Sequence, residues 1–242
     1  SCNPTKYIAE GDKFYKEGDV VIHNDTIPKE RKEGFETFLE NSLLPKPNSK
    51  LLGVYFKVGL WNMGGGPDTS NNFVRRWLKK QGEAPVLLSD VNREYNENLL
   101  RNKMENLGFF TARVTSDTLI DGKMATIQYD AFPGPIYRIN EVKFDVDSNS
   151  RLGKSIIGTK DQTLLQPGNN YNLDVILNER DRIDNKLKEQ GYYYFSPDNL
   201  LVEVDSTIGD NKVDMFMTVK PETPRQAKEP QHIGNVYVFA DY

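Results

Sequence analysis

The sequence predicts an α+β fold assembled from small repeated modules, and three observations carry that expectation. Residues 102–110, Asn-Lys-Met-Glu-Asn-Leu-Gly-Phe-Phe, return at 185–193 as Asn-Lys-Leu-Lys-Glu-Gln-Gly-Tyr-Tyr. In both copies a charged amphipathic helix stops at a glycine, and an aromatic pair opens an extended segment. A spaced repetition marks one supersecondary unit used more than once. After each copy come two strand-like segments joined by a turn, and Gly64-Gly65-Gly66-Pro67 and Gly134-Pro135 punctuate the chain.

Taken in order, residues 3–18 carry Gly, Pro and alternating charge and read as a tether, followed by a short strand at 20–22. Pro28, after Asp25 and Thr26, suits a helix start, where its missing N–H costs nothing. Phe35, Phe38, Leu39 and Leu43 then form a helical apolar stripe. Leu52, Val54, Phe56, Val58 and Leu60 alternate with period two, which predicts a strand over 51–61. Phe73, Val74, Trp77 and Leu78 suggest a helical piece beyond the glycine run, and 85–88 an extended one. Trp61 and Trp77 flank that run and are expected to pack at a junction.

A helix from about Ser89 carries Val91, Tyr95, Leu99, Leu100, Met104 and Leu107, and Gly108 suits the left-handed residue that closes it. Strands at 109–114 and 124–132 flank Asp121-Gly122, a hairpin signal. A further strand follows at 137–144, then a short helix near 152–157 and a long one over 172–190 closed by Gly191. Strands at 200–204 and 213–219 meet across Gly209-Asp210-Asn211. The expected modules are therefore 19–66, 67–136 and 137–221, the first atypical and shortened. Residues 1–18 form the tether, and 222–242 a linker that opens another element at Ile233 to Phe239.

Composition narrows the function classes. The 31 basic and 35 acidic residues leave a net charge of −4 with no basic block, which argues against nucleic acid as a partner. A single cysteine, Cys2, excludes an internal disulfide framework and a cysteine-based zinc site. His23 and His232 are not spaced as a ligand pair. No apolar run reaches the roughly 18 residues of a spanning helix. The start, without Met or a signal peptide, looks trimmed from a longer precursor.

The β-α-α-β-β order, the helix that ends in Gly with Phe-Phe or Tyr-Tyr, and the repetition resemble polypeptide-transport-associated (POTRA) domains. The arrangement is similar to the periplasmic arm of outer-membrane assembly proteins of the Bam/Tam type. Cys2, the Lys46-Pro47-Asn48-Ser49-Lys50-Leu51-Leu52-Gly53 stretch and Gly82-Glu83-Ala84-Pro85-Val86 resemble the lipoprotein variant TamL of Bacteroidetes. The resemblance implies a three-stranded mixed sheet backed by two helices in each module, and a location on the periplasmic side of the outer membrane of a Gram-negative bacterium. It implies an arm anchored to the membrane surface by an acylated Cys2, with its own carboxy-terminal β-barrel beyond these residues. Implied partners are unfolded outer-membrane proteins and a TamB-type inner-membrane protein. An alternative is a stand-alone periplasmic structural or adhesive lipoprotein that binds a folded partner.

The expected mechanism needs no catalysis, metal or cofactor. An edge strand presents unpaired N–H and C=O groups, and an extended client can add a strand there. The candidate edges are Tyr137, Ile139, Glu141, Val142 and Phe144, and Pro85, Val86 and Leu87. Phe109, Phe110, Tyr192, Tyr193 and Tyr194 are expected to pack in the cores rather than to form a stacking platform. The carboxylate pairs Glu179/Asp181 and Asp145/Asp147 read as solvated surface, because charged groups are seldom buried without partners. Asp121, Asp145, Asp147, Asp210 and Asp214 do not match a calcium loop. Gly64 to Gly66 lacks the Lys-Ser/Thr of a phosphate loop.

Overall fold

A computed structural model describes residues 3–24, 27–68, 72–232, 234–235 and 238. Cys2, the Asp25-Thr26 pair and most of the segment expected to open a further element at 233–239 lie outside the described residues. The chain divides into two compact units, 1–105 with 111–134, and 106–110 with 135–242.

The first unit is built on strands β1 (Phe14–Ile22), β2 (Arg113–Asp121) and β3 (Met124–Phe132) in the order β1-β3-β2. β1 runs parallel to β3, and β2 antiparallel to it. The β2–β3 hairpin turns on Gly122, whose φ of +58° suits the glycine position of a two-residue turn. Ala125, Ile127, Tyr129 and Ala131 alternate into the interior along β3, joined by Val20 and Ile22 of β1. Four helices complete the unit: α1 (Lys29–Glu40), α2 (Phe56–Met63), α3 (Phe73–Gln81) and α4 (Arg93–Asn106). Leu39 of α1 and Leu100 and Met104 of α4 are their fully buried apolar positions. Asn96, also on α4 and fully buried, accepts from Leu44 N and donates to Leu44 O and the Tyr129 hydroxyl.

Four expectations change here. The segments 19–66 and 67–136 share one sheet, because the first strand of one pairs in parallel with the last strand of the other. Gly64 to Gly66 is a turn between packed helices: a Cβ on Gly64 would press on the backbone of Arg75 and Lys79, and one on Gly66 on the Tyr7 ring. The strand expected over 51–61 is instead a turn, Leu51 to Val54, followed by α2. Val58 and Asn62 are its buried i, i+4 pair while Phe56 stays exposed, so the alternating apolar residues are split between opposite sides of a helix instead of sharing one face of a strand. Residues 3–18 are structured rather than a tether, with Thr5, Ile8, Phe14 and Tyr15 buried. Strand pairing with Lys123 and Val86 holds Phe14 and Tyr15 in place.

The second unit follows the expected order closely: β4 (Arg138–Phe144), α5 (Arg151–Ile157), α6 (Leu173–Glu189), β5 (Leu200–Asp205) and β6 (Lys212–Val219). The sheet order is β4-β6-β5, with β4 parallel and β5 antiparallel to β6. The Ser150 hydroxyl accepts from Gly153 N at the start of α5, and the Asn172 side chain from Asp174 N at the start of α6. Ile156, Ile183, Leu187, Phe195, Val213, Met215 and Met217 form a contiguous core with Tyr192. Gly191 has φ +93° after α6 and Gly108 φ +94° after α4, the left-handed region in which glycine carries no side-chain penalty.

The aromatic pairs behave unequally. Phe109 and Tyr192 are buried, and Phe110 meets Tyr137 at a tilt and Tyr171 edge to face, whereas Tyr193 and Tyr194 are exposed and lie edge to face on each other. The chain turns after Gly191 instead of extending, so Phe195 takes the inner position. Glu179 also departs from expectation. It is fully buried, pairs with Arg182 at 2.7 Å, and accepts from the Thr163 hydroxyl and Leu164 N. The ion pair and two further hydrogen bonds replace the water that a solvated carboxylate would have had.

Candidate functional site

The groups able to bind an extended chain are the outer edges of the two sheets, and the structure treats the two edges of each sheet differently. On β1 the outer edge is occupied along most of its length. Tyr15 N donates to Val86 O, and Leu88 N to Lys13 O, so the extended residues 86–88 form a short antiparallel bridge over Phe14. Asn48 fixes that segment from behind, accepting from Val86 N at 2.7 Å and donating to Ala84 O at 2.9 Å. The Ser89 hydroxyl donates to Asp12 at 2.6 Å, and this bond holds the Asp12 carboxyl below its ordinary value.

Further along β1, two carboxylates take the place of a neighbouring strand. Glu40 of α1 accepts from Val20 N at 3.1 Å and Glu36 from Ile22 N at 2.9 Å. The geometry is a match of periods. Four residues along a helix advance about 6 Å, and two residues along a strand about 6.6 Å. An i, i+4 glutamate pair can therefore reach the alternate outward amides of an edge strand.

β4, the edge predicted from the sequence, is half covered. Ile139 N donates to Asn169 O, Gly168 N to Ile139 O, and Tyr171 N to Tyr137 O, so a loop over 168–171 closes the outer side of 137–139. Beyond a bulge between Ile139 and Glu141, Asp145 N donates to Met217 O on β6. By alternation the backbone of Glu141 faces β6, while Val142 and Phe144 turn theirs outward. Their side chains pack on the core. The other candidate, Pro85, Val86 and Leu87, is no free edge: Val86 is bonded on both N–H and C=O, and Leu87 packs beside Phe14 and Val58. The segment is extended, as its sequence suggested, but folds onto its own sheet.

The open edges are the second strands, β2 and β5. In a two-residue hairpin the closing pair, here Asp121 and Met124, exchanges hydrogen bonds. Val114, Ser116, Thr118 and Ile120 therefore turn their amides away from β3, and none has a partner among the described residues. On β5, Lys220 N donates to Asn199 O, which sets the alternation and leaves the amides of Val202 and Val204 outward. Each hairpin was visible in the sequence, although the strand expected at 109–114 runs over Arg113–Asp121, but which of its strands lay outermost was not, because hydrophobic alternation is the same for a central and an edge strand.

Other chemistry is sparse. His23 Nε2 lies 2.7 Å from Asp130, and this contact holds the Asp130 carboxyl below its ordinary value. Burial raises the Tyr129 and Tyr171 hydroxyls. Among the described residues no group of three or more His, Cys, Asp or Glu side chains is arranged to hold a metal ion, and no helix is long and apolar enough to cross a membrane.

No protein-family model and no curated protein matches the chain. Among solved structures it is similar to the crystal structure of Haemophilus influenzae BamA POTRA3-5, with 13% identity over 88% of this chain and 69% of that one, and a TM-score of 0.44. POTRA1-2 of the periplasmic domain of Omp85 from Anabaena gives 13% identity, 88% and 98% coverage, and a TM-score of 0.37. CdiB from Escherichia coli gives 10% identity over 91% of this chain, which spans 29% of that one, with a TM-score of 0.27. The chain itself is α+β, with two three-stranded mixed sheets, each formed from a first strand, intervening helices and a closing hairpin.

Proposed function

We propose that this chain is a periplasmic polypeptide-binding scaffold in outer-membrane protein assembly, acting without catalysis upstream of a membrane β-barrel. Unfolded barrel polypeptides add a strand to an open sheet edge, main-chain bonds supplying affinity and sparse side-chain contacts leaving it tolerant of sequence. The observation that carries this reading is the asymmetry of the edges: β1 is plugged by Glu36, Glu40 and residues 86–88, whereas β2 presents four alternate amides with no partner among the described residues. Natural sheets usually guard their edges, so a nine-residue strand left open on the edge opposite a guarded one has the form of a docking site. β5 and the Val142–Phe144 half of β4 are the secondary sites. Acylation at Cys2, a bridge to a TamB-type partner and a Bacteroidetes source belong to the same reading through the sequence resemblance.

The test is hydrogen exchange followed by NMR with a synthetic strand from an outer-membrane barrel. Added peptide should slow exchange at Ser116, Thr118 and Ile120, and Thr118→Pro should abolish that protection while the fold persists, since this N–H is not used inside the sheet. Protection confined to other surfaces, or none at saturating peptide, would overturn the proposal.

A further inference from the structure

Helix α3 is amphipathic in the wrong direction for a soluble protein. At about 100° per residue, Phe73, Val74, Trp77 and Leu78 share one side, and Arg75, Arg76, Lys79 and Lys80 the other. The helix meets the rest of the unit through its backbone at Arg75 and Lys79: Gly64, at the end of α2, lies so close to Arg75 O and Lys79 N that it has no room for a Cβ, while Arg75, Arg76 and Lys80 keep exposed side chains. Lys79 donates to Asp68 O and sits over the Trp61 ring. Phe73, Val74 and Trp77 face outward, 74%, 59% and 54% exposed, while Leu78 at the edge of the stripe is half-buried. Trp77 is thus not at a packed junction as its sequence position suggested, whereas Trp61 meets Tyr7 edge to face.

Further features of the same unit point the same way. Leu52 is 96% exposed at the tip of the Leu51–Val54 turn, whose geometry sets its φ of +50°. Phe56 and Met63 of α2 are also exposed. Arg75, Arg76 and Lys80 have no acidic partner among the described residues, and α3 contains no acidic residue. By the helical spacing, Arg76 and Lys80 border the apolar stripe, where long side chains can reach back to a charged layer while the rings go deeper.

We propose that α3 is a membrane-surface helix, its Phe73, Val74 and Trp77 side entering the headgroup region of an anionic lipid bilayer while Arg76 and Lys80 meet the headgroups. Aromatic rings and an aliphatic side chain flanked by cations without an acidic partner among the described residues fit the interface of a lipid leaflet, and the local positive charge within a chain of net charge −4 selects an anionic one. The helix is pre-formed and needs no ordering on contact, because the Asn72 side chain caps it by accepting from Val74 N and Arg75 N, and Gly64 and Gly82 seat it on α2. This inference is independent of strand pairing at β2.

The experiment is vesicle flotation of the full chain carrying Cys2→Ala, so that no acyl chain contributes. Vesicles of phosphatidylcholine with about 30% phosphatidylglycerol are compared with pure phosphatidylcholine at low and high salt. The anionic vesicles should carry the protein at low salt, with a blue shift of Trp77 emission in a Trp61→Phe background. The Phe73→Ser/Trp77→Ser variant should lose about tenfold or more of that binding, in proportion to the apolar area removed. Its circular dichroism and melting should match the parent, because both side chains are exposed. No flotation of the parent at low salt would overturn the proposal, as would a variant that floats equally well. Concentration-dependent dimerisation abolished by the same substitutions, without lipid binding, would assign the face to a second copy and overturn it too.

Discussion

Asp12 and Glu179 show how single carboxylates serve this fold. Asp12 is held below its ordinary value chiefly by the Ser89 hydroxyl, so the stability it contributes is present above the ordinary carboxylate range and lost as pH falls through the depressed value. Ser89→Ala should lower the urea midpoint at pH 7, and the gap from the parent should close once the solution is well below about pH 4. A gap that persisted in acid would assign the effect to packing. Glu179 is a sterner case, because it is fully buried with Arg182 as its ion-pair partner. Glu179→Ala should destabilise by about 3 kcal/mol, since it strands a cation and leaves the Leu164 N–H without its acceptor. A change under about 1 kcal/mol in chemical denaturation would mean that water replaces the carboxylate.

At the scale of elements, the guarding of β1 by α1 is the feature with the clearest consequence. Glu36→Ala/Glu40→Ala should speed hydrogen exchange at Val20 and Ile22 and lower stability by about 1–2 kcal/mol, as two hydrogen bonds to charged acceptors are lost. It should also let sedimentation velocity detect self-association through the bared edge. Unchanged exchange at both amides would show that the helix merely lies nearby. Much of this level was legible beforehand. Strand β3 and helices α4, α5 and α6 follow from periodicity, and Gly108 and Gly191 stand where their helices end. The carboxylate plug was not legible, because Glu36 and Glu40 look like ordinary solvent-facing positions beside Phe35 and Leu39. Only a strand distant in sequence makes them acceptors. The same holds for residues 86–88, whose extended form was readable and whose partner was not.

For the whole molecule, the division into two compact units leads to a calorimetric expectation. Gly191→Val combines a left-handed φ with a Cβ that would lie 2.8 Å from Gln231 O. It should destabilise the second unit by about 1 kcal/mol or more, lowering one melting transition and leaving the other in place. A single transition moving as one would show that the units melt together. What the sequence determined by itself was the class of the fold, the repeated helix–glycine–aromatic stop, the hairpins and the second unit's element order. These depend on periodicity and on backbone conformations that neighbouring residues dictate. The local reading failed at 51–61, where a strand was expected and α2 stands. Tertiary structure alone decided that 19–66 and 67–136 share one sheet, that β2 and β5 are the open edges, and that α3 turns its apolar face outward. Each depends on which distant segment fills a given edge or face, and local patterning is the same whichever segment does so.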